Sequence, residues 1–166
     1  MNNKTIFDLI NRTEHSDSRS VLSSIRVLYF AMIIGLLSFL AVTFLISQDF
    51  KFYFDKSDPV IFANLILFFL AIPAGYLVSK VIWGKIEKDL PLKDKLLKFQ
   101  PGFLIRMGTC EGVGLFSIIG LLLSDNLIYL VFTGIILLII FYYFPSPEKL
   151  ELQIDLNQTE LDELKK

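Results

Sequence analysis

The chain has 166 residues, of which 54% are hydrophobic, with a mean hydropathy of +0.59 and a formal net charge of −1. It is too apolar for an ordinary soluble domain and too short to hold a second domain with its own core beside a membrane bundle. The near-neutral total conceals a separation of basic and acidic segments along the chain.

Residues 1–24 form a polar leader of mixed charge, with no apolar stretch ahead of a small-residue cleavage site. The first span is therefore expected to insert as an uncleaved anchor. His15, the single histidine, lies in this leader away from other metal-ligating types and reads as a solvated residue.

Four apolar runs follow, at 27–46, 59–78, 103–123 and 127–144. A hydrocarbon core of ~30 Å takes about 20 helical residues, and each run meets or approaches that length. The expectation is an all-α polytopic membrane protein, a four-transmembrane-helix bundle occupying 25–144. The first and second runs form one hairpin, and the short turn Ser124–Asn126 forces the third and fourth into another. Phe50, Phe52, Tyr53, Phe54, Trp83, Tyr142 and Tyr143 flank the runs and read as interfacial anchors.

Orientation follows from lysine and arginine. Lys4, Arg12, Arg19 and Arg26 precede the first run, and six lysines lie in the connection at 80–100. The first loop has only Lys51 and Lys56. Basic residues favour the cytoplasmic side, so both termini and the middle connection are expected there. Arg106, just inside the third run, reads as snorkelling to that interface. Within the connection, Leu92, Leu96, Leu97 and Phe99 alternate with lysines. That pattern predicts a short helix on the membrane surface, with Lys93, Lys95 and Lys98 facing anionic lipid headgroups.

Glu111 in the third run is the one candidate for chemistry. It lies ten residues past Pro101, about 15 Å along a helix and so near the bilayer centre. A carboxyl there is costly and faces the bundle interior or a cavity. Arg106 is five positions away, about 140° around the axis, and so a poor partner within the helix. Gly108 and Gly112 form a small-xxx-small pair that lets another helix approach. On the second run Pro73 frees the carbonyl of Phe69 at a similar depth, a natural acceptor for protonated Glu111; Asn64, Ser38 and Thr133 are the alternatives. Cys110, the single cysteine, reads as a small packing residue.

The segment 145–166 is an acidic cytoplasmic tail. Ser146, Pro147 and Glu148 read as N-cap, first helical position and first-turn acid, and Asn157 with Glu160 as a capping box.

Ile105-Arg106, Glu111-Gly112, Leu115-Phe116, Gly120–Leu123, Asn126-Leu127 and Pro145–Leu150 together resemble a group of small four-span proteins from Bacteroidetes-type bacteria. The resemblance covers the chain from about Lys93 onward, and the first half by hydropathy alone. It implies a bacterial inner (cytoplasmic) membrane and says nothing about mechanism.

No metalloprotease, nucleophile-elbow or phosphate-loop motif is present in the sequence, and the lysines sit beside the membrane rather than on a nucleic-acid face. The expectation is a non-enzymatic accessory or assembly subunit with no catalytic residue, metal or cofactor. Its expected contacts are anionic lipid and a protein partner or second copy in the membrane, and no nucleic acid. The alternative is a small proton- or ion-coupled transport component using Glu111.

Overall fold

The computed structural model describes residues 3–47, 49–53 and 58–165, with side chains from residue 17 onward. Among these, six helices run in order: α1 Asn3–Ile46, α2 Pro59–Trp83, α3 Leu92–Ser124, α4 Ile128–Tyr142, α5 Pro147–Ile154 and α6 Gln158–Lys165. No strand forms among the described residues beyond an isolated bridge between Lys51 and Asn126.

Each helix has a local cause. The leader and first run contain no proline, so nothing interrupts α1 over its 44 residues. At the start of α2, the Asp58 carboxylate accepts from the Val60 N–H at 2.8 Å and Pro59 supplies the first helical position. α3 ends as Asp125 enters the left-handed region at φ 51° and returns its N–H to the Leu121 carbonyl. α4 stops at Tyr142, two residues short of the expected 127–144 limit. Pro145 disfavours a helical conformation at Phe144. Ser146 Oγ caps α5, and Asn157 and Glu160 exchange reciprocal 2.8 Å bonds at the start of α6, the capping box expected from the sequence.

Three helical segments, 17–46, 59–83 and 92–124, are long and apolar enough to cross a membrane. A fourth candidate is α4 taken with α5, bent by 82° between them. Leu45, Phe69 and Leu138 are 81%, 69% and 70% exposed, an outer surface suited to lipid and not to water. The chain is an all-helical membrane protein.

α3 is the hub, and α1, α2 and α4 each pack on it. The first two spans, expected to pair with each other, both pack mainly on α3. α2 comes close because Gly75 lies against Thr109; a Cβ there would meet Thr109 Oγ1 at 2.1 Å. Gly114 similarly admits Leu36 of α1 and Ile136 of α4. At one end, Lys51 N–H donates to the Asp125 carbonyl and its own carbonyl accepts from Leu127 N–H, both at 2.9 Å. These bonds tie the α1–α2 connection to the α3–α4 turn.

At the other end the leader part of α1, the α2–α3 connection and the tail meet. Lys93 pairs with Asp17 at 2.7 Å, Lys95 with Glu160 at 2.7 Å, and Lys88 with Asp155. Leu92, Leu96 and Phe99 are buried in one cluster with Leu22 and Ile25 of α1 and Leu150, Ile154 and Leu164 of the tail. The separate surface helix expected at 92–99 is therefore the first two turns of a continuous α3. Its apolar face is covered by protein instead of lipid. Lys95 is 1% exposed and cannot face headgroups; Lys93 is engaged by Asp17, and Lys98 alone of the three is exposed, with no ion pair to a described residue.

Candidate functional site

Around α3 the polar side chains are sorted by helical phase. Ser117 faces α2, where Asn64 Nδ2 donates to its hydroxyl at 2.8 Å and both groups are fully buried. Asn64 is thereby committed to Ser117 and not to Glu111. Thr133 hydroxyl bonds back to the Tyr129 carbonyl on its own helix, and Ser38 is exposed.

Glu111 lies on the opposite side from α2. Its carboxyl faces α1, where Oε1 is 3.6 Å from the position a Cβ on Gly35 would take. It is half-buried and makes no hydrogen bond or ion pair with a described residue. The expected contact with the Phe69 carbonyl does not form: α2 runs unbroken through Pro73, and the Phe69 ring points outward, 69% exposed. The physical reason is rotation: the turns that bring Thr109 and Ser117 onto α2 carry Glu111 away from it.

Gly108 and Gly112 do not pack within the chain either. Both are exposed, and a Cβ at either would have nothing within 4 Å. The close helix approach expected there falls instead on Gly75, Gly102, Gly114 and Gly120. Gly108, Gly112 and the neighbouring Glu111 thus make a bare strip on the outside of α3, beside Gly35 of α1.

Arg106 makes the densest polar cluster. It is 4% exposed and does not snorkel. Nε donates to Ser79 Oγ at 2.8 Å, and the guanidinium carbon lies 4.3 Å from the Trp83 ring centre, 4.6 Å from Tyr76 and 4.9 Å from Tyr143. Trp83, expected as an interfacial anchor, is 4% exposed, stacks on Phe99 at 4.6 Å between centroids and donates Nε1–H to the Phe99 carbonyl at 3.0 Å. Tyr142 remains outside, 71% exposed. The spacing of Tyr76, Ser79 and Trp83, three then four residues apart, marks one face of α2. With Arg106 expected at the same interface, that spacing was the available signal for this cluster. Cys110 packs at 1% exposure, one turn further along α3.

Outside the spans, the Lys88 hydrogen bond holds the Asp155 carboxyl below its ordinary value, and Lys88 is raised in return. The Glu148 carboxyl is likewise lowered, first by its own backbone N–H and further by Lys165. Among the described residues no three His, Cys, Asp or Glu side chains gather as a metal site. Phe54 and Lys56 lie outside the described residues. The chain matches no protein-family model, no curated protein and no solved structure.

Proposed function

We propose that this protein is a non-enzymatic accessory or assembly subunit of a bacterial inner membrane, built as four spans with both termini and the α2–α3 connection in the cytoplasm. The leader, the basic connection and the tail meet at one end of the helices and pair their charges there, which supports a common side for all three. The basic excess before α1 and between α2 and α3 makes that side the cytoplasm.

One observation carries the assembly role: the bare strip of Gly108 and Gly112 beside a half-buried Glu111 that bonds to no described residue. Two glycines four apart let a second backbone approach closely, and the carboxyl beside them offers a hydrogen-bonding group to it. The partner is a transmembrane helix, of another subunit or of a second copy. A proton-carrying role is less well supported: α2 is continuous through Pro73, and among the described residues no second titratable side chain bonds to Glu111.

The test replaces Gly108 and Gly112 with isoleucine, which has free space within the chain, and separately makes Glu111→Gln. The isoleucine pair should dissociate the oligomer or strip co-purifying subunits while the thermal unfolding of the monomer is unchanged. Glu111→Gln should retain assembly. An unaltered assembly with both isoleucines present, together with a proton flux in proteoliposomes that Glu111→Gln abolishes, would reverse the assignment. Topology is checked in a Cys110→Ser background: a cysteine at Lys98 should react only from the cytoplasmic side, and one at Lys56 only from the outside.

A further inference from the structure

The Arg106 cluster opens into a cleft of about 410 Å³ between α2, α3 and α5, lined by Tyr76, Lys80, Trp83, Arg106, Leu152 and Gln153. The cleft wall carries two cations and no carboxylate. A guanidinium has five N–H donors in a planar fork, and here one is satisfied, by Ser79. The three aromatic faces stabilise the charge, but they are not acceptors for the terminal Nη groups. No described residue accepts from those donors, and they are not sealed in the core: the residue is 4% exposed and lines the cleft, so the free side of the fork opens into it. A buried arginine without a counter-anion is costly, and its fork matches a phosphate's oxygens in pairs.

From this geometry we infer that the cleft binds a phosphate-bearing headgroup of an anionic phospholipid, with Arg106 as its inner anchor and Lys80 as its outer one. Gln153 adds an amide from the α5 side. Lys80 is exposed and lines the cleft with its ammonium 5.0 Å from the Tyr76 ring centre. The surroundings favour a lipid over a free anion. Leu77 and Val81, on the neighbouring face of α2 outside the cleft, are 61% and 60% exposed, and Leu152 on α5 is 86% exposed. These apolar side chains provide a path for acyl chains running from the cleft along the outside of α2. Basic pockets between spans at the cytoplasmic end are suited to such headgroups.

Trp83 is the single tryptophan of the chain and forms a wall of the cleft, so its fluorescence reports occupancy directly. The full chain in a non-ionic detergent is titrated with dioctanoyl phosphatidylglycerol, with dioctanoylglycerol as the phosphate-free lipid, and with inorganic phosphate. Phosphatidylglycerol should give a saturable change and the other two should not saturate in the same range. Arg106→Gln should weaken the response at least about tenfold and Lys80→Gln about threefold. Equal responses to the phosphate-free lipid, or no saturable response to phosphatidylglycerol, overturn the site. Saturation by inorganic phosphate with no gain from the acyl chains overturns the lipid assignment. If Arg106→Gln fails to fold, Lys80→Glu decides. Lys80 is exposed, its reversal spares the core, and wild-type affinity in that variant overturns the proposal.

Discussion

Lys95→Met tests how the tail is held. The Lys95 ammonium lies 2.7 and 3.0 Å from the two Glu160 oxygens, with side-chain exposures of 2% and 13%. At an effective dielectric of about 20, charges 2.7 Å apart attract by about 6 kcal/mol before desolvation is subtracted. Removing one member of a buried pair costs about 3–5 kcal/mol, because the other charge is left uncompensated. Glu160 retains some access to water and its bond from Asn157 N–H at 2.8 Å, so about 3 kcal/mol is the appropriate end of that range. Methionine keeps an unbranched apolar stem of similar length at this buried position, which isolates the charge.

The loss falls on tail docking rather than on the spans, so the assay is hydrogen exchange of α6 amides in lipid nanodiscs. A change of about 3 kcal/mol corresponds to about 150-fold faster exchange, or to full release if docking is weaker than that. Amides of α3 around Met107 should be unaffected. Adding Glu160→Gln to Lys95→Met removes the orphaned charge yet keeps an acceptor for Asn157, and should restore most of the protection. α6 exchange within threefold of wild type in Lys95→Met would refute the view that this pair anchors the tail.

Three further outcomes follow. Gly75→Ala should lower thermal stability by about 1–3 kcal/mol because its Cβ overlaps Thr109, whereas Gly108→Ala, with open space, should leave the monomer unchanged; equal melting temperatures for the two would contradict the α2–α3 contact. Ser117→Ala leaves the buried Asn64 amide short of a partner and should cost about 1 kcal/mol, largely recovered by Asn64→Leu in the same chain. Lowered Asp155 and Glu148 carboxyls add to tail docking fully above the ordinary carboxylate value near pH 4, and that contribution disappears as pH falls through their lowered folded values. Lys88 is raised, so its share is present at neutral pH and vanishes only above the ordinary lysine value. Tail exchange should therefore be flat from about pH 5 to 9 once corrected for intrinsic rates; a loosening near pH 6–7 would point to other groups.

What could be read in the sequence was what local chemistry determines. Apolar runs, the Asp125 turn, the Ser146 cap and the Asn157–Glu160 box depend on neighbours within a few residues, and they stand as expected. The misreadings at the cytoplasm-assigned end share one cause. Leu92, Leu96 and Phe99 were legible as one apolar face, but composition does not say whether lipid or protein covers it, and here α1 and the tail do. The same ambiguity made Lys95 a lipid contact instead of an ion-pair partner and Trp83 an interfacial anchor instead of a core residue. Gly108 and Gly112 carry the right spacing for close packing, yet spacing cannot tell a face turned inward from one turned out.

The relation between Arg106 and Glu111 shows what rotation of a single helix settles. Five residues apart, they are about 140° around α3 from each other, so any helix packed on one leaves the other uncovered. α2 uses the Arg106 side, bringing Ser79, Tyr76 and Trp83 to the guanidinium and Thr109 to Gly75. Turning α3 to pair Glu111 with the Phe69 carbonyl would pull Arg106 out of that cage and Ser117 off Asn64, losing two buried polar contacts for one. The packing therefore resolves in favour of the cation, and the acid is displaced to the α1 edge beside the bare glycines. A carboxyl that pairs with no described residue is the consequence, and it is the reason the assembly reading rests on α3 rather than on any other face.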